Sequence, residues 1–353
     1  MADWASLPAD LIILISDTFL ATEDLDYYMD FRAVCSSWRS ATDDPMADPR
    51  DPRFRPRRWA MLDEVHQSDA RLFVNVDTGR FVRKDLPLLS SRYYLVASVA
   101  GSLIVLAEKT GGHAALVLNP FTCSMIRVKA PVPPEVEFTA HMIGSSSPTL
   151  VLVSGYRSMY WADAEDENFH IHNAEHINHP FVRMALAGGI YAAARELGSL
   201  ASLLTPATYD ILDLLSNPFP DWSSGTGELA VSRCFLVESQ GEMLVVVKLR
   251  HGPMNVFRID TVANMIEPVK DIGSRALFVG DCRCLSIDAD KFASTDANCI
   301  YYVDQAELTY DICIYSLKDK IESFSSSAVT HTFQISKYQL AYYVSVSYLW
   351  HYI

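Results

Sequence analysis

The densest group of potential ligands and bases in this sequence is His170-Ile-His172-Asn-Ala-Glu175-His176-Ile-Asn-His179. If residues 170–172 form a strand, alternation puts both imidazoles on one face. His176 or His179 could then complete a zinc-type donor set. The same residues also read as a polar surface loop after the acidic run Asp163 to Glu167, and the sequence favours that reading. The pair Cys282-x-Cys284 lacks both the two-residue gap and the second pair of a zinc site. Arg53, Arg55, Arg57 and Arg58 could form an anion site, but pairing with nearby Asp and Glu in a solvated linker is the favoured account. Gly225-Thr-Gly227 is too short to cradle a phosphate. No nucleophile elbow, P-loop, dinucleotide fingerprint or HExxH motif occurs, and no Ser–His–Asp set can be chosen without arbitrariness. The expectation is a protein without catalytic chemistry or cofactor.

The elements that would have to position such residues are of two kinds. The chain has 353 residues, half of them hydrophobic and a fifth charged, which suits a well-buried core. A formal charge of -14 argues against general binding to nucleic-acid backbones. Seven cysteines, an odd number scattered through apolar runs, read as buried, reduced thiols of a cytoplasmic or nuclear protein. The start Met-Ala-Asp-Trp lacks the basic region of a signal peptide. No stretch reaches the ~18 apolar residues that cross a bilayer, so no membrane partner is expected.

Residues 6–20 carry Leu7, Leu11, Leu14, Ile15 and Leu20 at helical spacing, broadened by Ile12, Ile13 and Phe19. Ser6 is a plausible N-cap, with Pro8 in the first turn. After the polar break Thr22-Glu-Asp-Leu-Asp26, a second helical pattern runs through Tyr28, Phe31, Val34, Cys35 and Trp38. Two or three short amphipathic helices cannot close a core alone, so a partner surface is expected.

Leu7-Pro8, Leu11, Ile15, a polar turn, then Val34-Cys35-x-x-Trp38-Arg39 resembles an F-box over about residues 4–42. That resemblance implies a three-helix module that docks a Skp-type adaptor of a cullin–RING ubiquitin ligase. On the family's pattern Leu7, Pro8, Leu11, Ile15, Leu25, Val34, Cys35 and Trp38 take the apolar adaptor-binding positions, and Arg39 the basic one. The chain departs from the pattern in the acidic stretch Thr22 to Asp30, which is expected to loosen or re-angle the second helix.

Residues 43–69 follow as a linker with prolines at 45, 49, 52 and 56, read as stiff and extended. From residue 70 onward, apolar runs of four to seven residues alternate with turn signals such as Asp77-Thr-Gly79 and Asn119-Pro120. Runs closing at residues 77, 119, 163, 213, 260 and 317 recur at steps of roughly 40 to 57 residues, the spacing of propeller blades. Between 93 and 128 four strands can be counted. Residues 190–204 look helical in composition but are read as a hairpin across Gly198-Ser199. Leu118-Asn-Pro-Phe-Thr122, Phe235 to Val247, Ala276 to Asp281 and Asn298 to Asp304 are similar to plant F-box proteins whose C-terminal part is a domain of unknown function (DUF 295), kelch-like in appearance.

The expected architecture is therefore a small all-α N-terminal F-box of three short helices (1–42), a linker (43–69) and a mainly-β domain, a β-propeller of about six blades (70–325). Residues 326–353 form an atypical C-terminal segment that could supply a closing strand. The function expected is substrate recognition in an SCF-type ubiquitin ligase, with the β-domain holding the target. Two alternatives are carried: a binding module acting outside ubiquitination, and a metal-dependent propeller enzyme using His170, His172 and His176.

Overall fold

A computed structural model describes residues 4–62, 69–99, 103–134, 138–143, 148–154, 158–172, 181–187, 190–195, 200–203, 209–210, 231–249, 253–260, 265–280, 284–292, 295–306 and 309–325. The chain divides into two compact units. The first contains Met1–Asn75, Phe81–Leu152 and Tyr160–Ile171; the second contains Val76–Arg80, Val153–Met159 and His172–Ile353.

The first unit opens with three helices, α1 (Ala9–Ala21), α2 (Leu25–Ala33) and α3 (Ser36–Ala41). A single 3-10 turn, Trp4–Ser6, precedes them, so Ser6 is not the cap. Pro8, extended at φ -56 and ψ 142, is itself the N-cap residue of α1. Asp24 caps α2 by accepting from the Tyr27 N–H, and the Cys35 sulfur accepts from the Trp38 N–H at the start of α3. Ile12, Phe31 and Trp38 form a small core inside the module, with Leu7, Phe19, Cys35 and Ala41 against it.

The linker is not extended throughout. It turns at Pro45–Ala47, makes a 3-10 turn at Pro52–Phe54 and enters strand β1 (Trp59–Leu62), inside the stretch read as linker. Phe54 is buried beside Tyr28, with ring centroids 5.6 Å apart. Four prolines rule out a long helix but not a turn packed on a neighbour. β1 pairs with β2 (Ala70–Asn75), which pairs with β3 (Phe81–Asp85), both antiparallel. After the short helix α4 (Leu88–Ser91) come β4 (Tyr93–Ser98), β5 (Ile104–Glu108), β6 (Ala114–Leu118) and β7 (Met125–Pro131). They form an up-and-down sheet in the order β4-β5-β6-β7, the four strands counted from the sequence. A third sheet follows, from β8 (Phe138–Ile143), β9 (Thr149–Ser154), β10 (Met159–Ala162) and β11 (His170–His172).

The second unit repeats the plan. One sheet contains β12 (Phe181–Ala187), β13 (Ile190–Arg195), β14 (Leu200–Leu203) and β15 (Tyr209–Asp210). β13 and β14 pair antiparallel, the hairpin expected despite helix-like composition. The next contains β16 (Val231–Ser239), β17 (Glu242–Leu249), β18 (Met254–Asp260) and β19 (Met265–Val269). The last has β20 (Arg275–Val279), β21 (Cys284–Asp288), β22 (Cys299–Ala306), β23 (Thr309–Ser316) and β24 (Ile321–Ser325), ordered β21-β20-β22-β23-β24. Here β20 and β22 run parallel. Buried Arg275 ties this sheet to the Val76–Arg80 turn: Nη1 reaches Asp77 at 3.2 Å and Nε donates to Ser286 Oγ at 3.0 Å.

Among the described residues five sheets have four or more strands, and the β1–β3 sheet has three. The expectation of about six blades is corrected to five, because β1–β3 lacks a fourth strand among the described residues and shares its core with the helical module. The segment 326–353 lies outside the described residues.

Candidate functional site

The surface that could do the most is on α1. An α-helix turns 100° per residue, so Ile12, Ser16 and Phe19 share one face while Leu11, Leu14 and Ile15 share another. The fold chooses between them sharply. Ile12 is 1% exposed and Ser16 is buried, whereas Leu14 is 63% exposed and Leu11 46%. Ile15, Ile13, Trp4 and Val34 are exposed as well. Large aliphatic side chains gathered on one face of a helix whose other face is filled make this face the candidate binding surface. Phe31 stacks on Trp38 at 4.3 Å behind that helix, and the Trp38 indole N–H donates to the Trp4 carbonyl at 3.1 Å.

The residues assigned to adaptor binding therefore fall into two groups. Leu11, Ile15 and Val34 offer apolar surface, Pro8 and Arg39 are exposed, and Leu7 and Cys35 are partly covered. Leu25 and Trp38 are buried within the first unit, so they shape the surface from behind instead of contributing area to it. Leu14, the most exposed leucine of the stripe, is missing from the family-pattern assignment. Its spacing from Leu11 is the signal that could have found it. Arg39 is anchored through Nε to the Arg32 carbonyl at 3.4 Å, and buried Arg32 donates to the Thr42 and Asp43 carbonyls.

The other sequence candidates resolve differently. The linker arginines are paired: Arg53 with Asp51 at 2.7 Å and Asp43 at 2.8 Å, and Arg58 with Glu23 at 2.7 Å. They neutralise carboxylates and do not assemble an anion site. His170 lies on β11, stacks on Trp161 at 5.6 Å and has Nε2 3.5 Å from Asp166. The side chain of His172 is not described, and His176 and His179 lie outside the described residues, as does Gly225-Thr-Gly227. Among the described residues no group of three His, Cys, Asp or Glu side chains is placed to hold a metal. A shallow cleft of about 380 Å³ between Arg50 and Arg127 has Glu165 in its wall, and Glu165 is already paired with Lys129. None of the five described cysteines forms a disulfide, and Cys123 is exposed, not buried as the apolar runs suggest.

Three short N-terminal helices with an exposed apolar stripe, followed by repeated β-sheets, define a β-propeller protein with an N-terminal helical module. The sequence model of the KIB1-4 β-propeller matches residues 73–316, and the chain belongs to that family. Among the described residues five sheets of four or more strands supply the propeller's blades. The chain is 48% identical over 52 residues to F-box protein SKIP23 and 56% identical over 41 residues to F-box protein At2g17036, both of Arabidopsis thaliana. Those matches span 15% and 12% of this chain, and only 11% and 9% of the two curated relatives. Another Arabidopsis F-box protein, At1g65770, is 22% identical across 86% of this chain and 90% of its own length.

Proposed function

We propose that the chain is the substrate-recognition subunit of an SCF-type (Skp–cullin–F-box) ubiquitin ligase of cytoplasm or nucleus, related to the plant F-box proteins with a DUF 295, kelch-like C-terminal part. Residues 1–42 are the F-box and the propeller holds the target protein. The observation that carries this reading is the stripe of Leu11, Leu14 and Ile15, exposed on a helix whose opposite face is already filled by Ile12. The F-box names of the Arabidopsis relatives support the same assignment. The protein transfers no ubiquitin itself. It brings the target close to an enzyme recruited through the adaptor, and its contribution is proximity and orientation.

The test is co-purification of the full-length protein with a Skp-type adaptor. Leu14→Asp and Leu11→Asp should abolish capture while leaving the melting temperature unchanged, because both side chains already face water. Each buried methylene at such an interface contributes ~0.8 kcal/mol, so losing two leucines and adding two charges removes measurable affinity altogether. Capture of the double variant at wild-type levels would sink the reading.

A further inference from the structure

We propose that Glu23 and Asp26, in the acidic stretch that departs from the F-box pattern, form a latch fixing the direction of α1 relative to the sheets β1–β3 and β4–β7. The sequence alone reads this stretch as loosening or re-angling the second helix; Glu23 and Asp26 are instead tied to neighbouring elements. Asp24 accepts from the Tyr27 N–H at 3.4 Å and starts α2. Asp26, whose side chain is only 6% exposed, pairs at 2.5 Å with Lys84 of β3. The Lys84 ammonium also lies 5.3 Å from the Phe121 ring centre, in the turn after β6. Glu23 takes a left-handed conformation at φ 55, reverses the chain and pairs with Arg58 immediately before β1.

Apolar contacts follow the same route. α2 is two-sided: Phe31 enters the core of the helical module, while Leu25 and Tyr28 enter the core of the two sheets with Trp59, Phe73 and Phe121. The Tyr28 hydroxyl donates to the Asp43 carbonyl at 2.7 Å, and the buried Asn119 amide donates to the Phe54 carbonyl at 2.7 Å. Turning the module on the sheets would separate Asp26 from Lys84 at a site where the Asp26 side chain is nearly dry, and losing an ion pair there is costly. A pair so placed contributes little net stability but penalises every other orientation. Its consequence rests on the function proposed above: the position of the docking helix relative to the sheets β1–β3 and β4–β7 is set by the fold and not by a tether.

The experiment is double electron–electron resonance on the full-length protein, with unnatural-amino-acid spin labels at Asp17 on α1 and Gly112 in the β5–β6 loop. Gly112 has no atom within 4 Å of the space a side chain would take. The wild type should give one narrow distance. Asp26→Asn and Lys84→Met should each broaden or shift it, and the double variant should go no further than either single change, since both remove one interaction. Glu23→Gln, on the more exposed arm, should broaden it less, and it carries the test where Asp26→Asn fails to fold. A broad wild-type distribution, or one unmoved by Asp26→Asn, Lys84→Met and Glu23→Gln, overturns the latch. Adaptor capture is read in parallel and should stay within about threefold of wild type in these variants. Failure of the wild type to capture adaptor would remove the docking assignment while leaving the distance result intact, so the two failures are distinguishable.

Discussion

Single side chains on this protein are assigned their tasks by burial more than by type. Leu14 and Trp38 belong to the same small module, yet Leu14 faces water and Trp38 lies beneath it. Trp38→Ala should therefore behave unlike Leu14→Asp. It deletes an aromatic stack, so the expected cost is ~3–5 kcal/mol of stability, read by urea denaturation, with the proposed adaptor capture lost only as the module unfolds. His141 shows burial acting on charge. It sits on β8, its Nδ1 has no hydrogen-bond partner among the described residues, and burial pushes its pKa down to about 4 from 6.5. Above pH 6.5 the ring is neutral in folded and unfolded chains and contributes no pH dependence. As pH falls from 6.5 towards 4, the unfolded chain binds a proton that the folded one refuses, so stability is lost across that window. Between pH 7 and pH 5 this amounts to about 2 kcal/mol. Urea midpoints of wild type and His141→Leu at the two pH values should show the variant losing less, and parallel losses would exclude His141 as the cause.

Elements were legible in the sequence where one local signal was enough. The β4–β7 sheet follows from four apolar runs separated by turn residues, and β13 and β14 follow from a Gly-Ser break that outweighs helical composition. What escaped needed information from another element. The phase of α1 depends on Phe31 and Trp38 accepting Ile12, which the pattern of the helix alone does not state. β1 is four residues long and follows four prolines, so it reads as linker until β2 supplies its partner. The parallel pairing of β20 with β22 leaves no mark in side-chain periodicity, because both strands are nearly continuous apolar runs. Turns differ among themselves in what surrounds them. Gly79 has φ +69, and a Cβ there would stand 2.7 Å from the Lys291 carbonyl oxygen, which belongs to the backbone and has little freedom to yield. Gly241 has φ +84 but nothing within 4 Å. Gly79→Ala should cost ~2–3 kcal/mol and Gly241→Ala about 1, the strain of the left-handed conformation alone. Thermal unfolding of the two variants side by side checks the difference, and equal losses would mean that Lys291 moves aside.

At the scale of the molecule, the order of modules could be read from the chain, but their independence could not. A Pro-rich stretch between a helical and a β pattern suggests two bodies on a spacer. The core says otherwise: Leu25 and Tyr28 of α2 are 2% and 1% exposed, in one cluster with residues of β1, β2, β5 and β6. Deleting residues 1–42 would uncover that cluster. Burying a Leu or a large aromatic side chain is worth roughly 1.5–3 kcal/mol, so removing these two forfeits a few kcal/mol, a large share of the usual margin of a domain. The truncated protein should bind a hydrophobic dye such as ANS and unfold at lower urea than the full-length chain. In the full-length chain, the amide protons of α2 should exchange at the rate of those in β5 and β6, since all open in one event. A truncated chain with unchanged urea midpoint, or α2 amides exchanging freely while β5 and β6 stay protected, would show instead that the module is a separate body. Joint opening has a corollary for the proposed function: damage to the first sheets would also disorder α1, so a misfolded chain would lose the proposed adaptor contact.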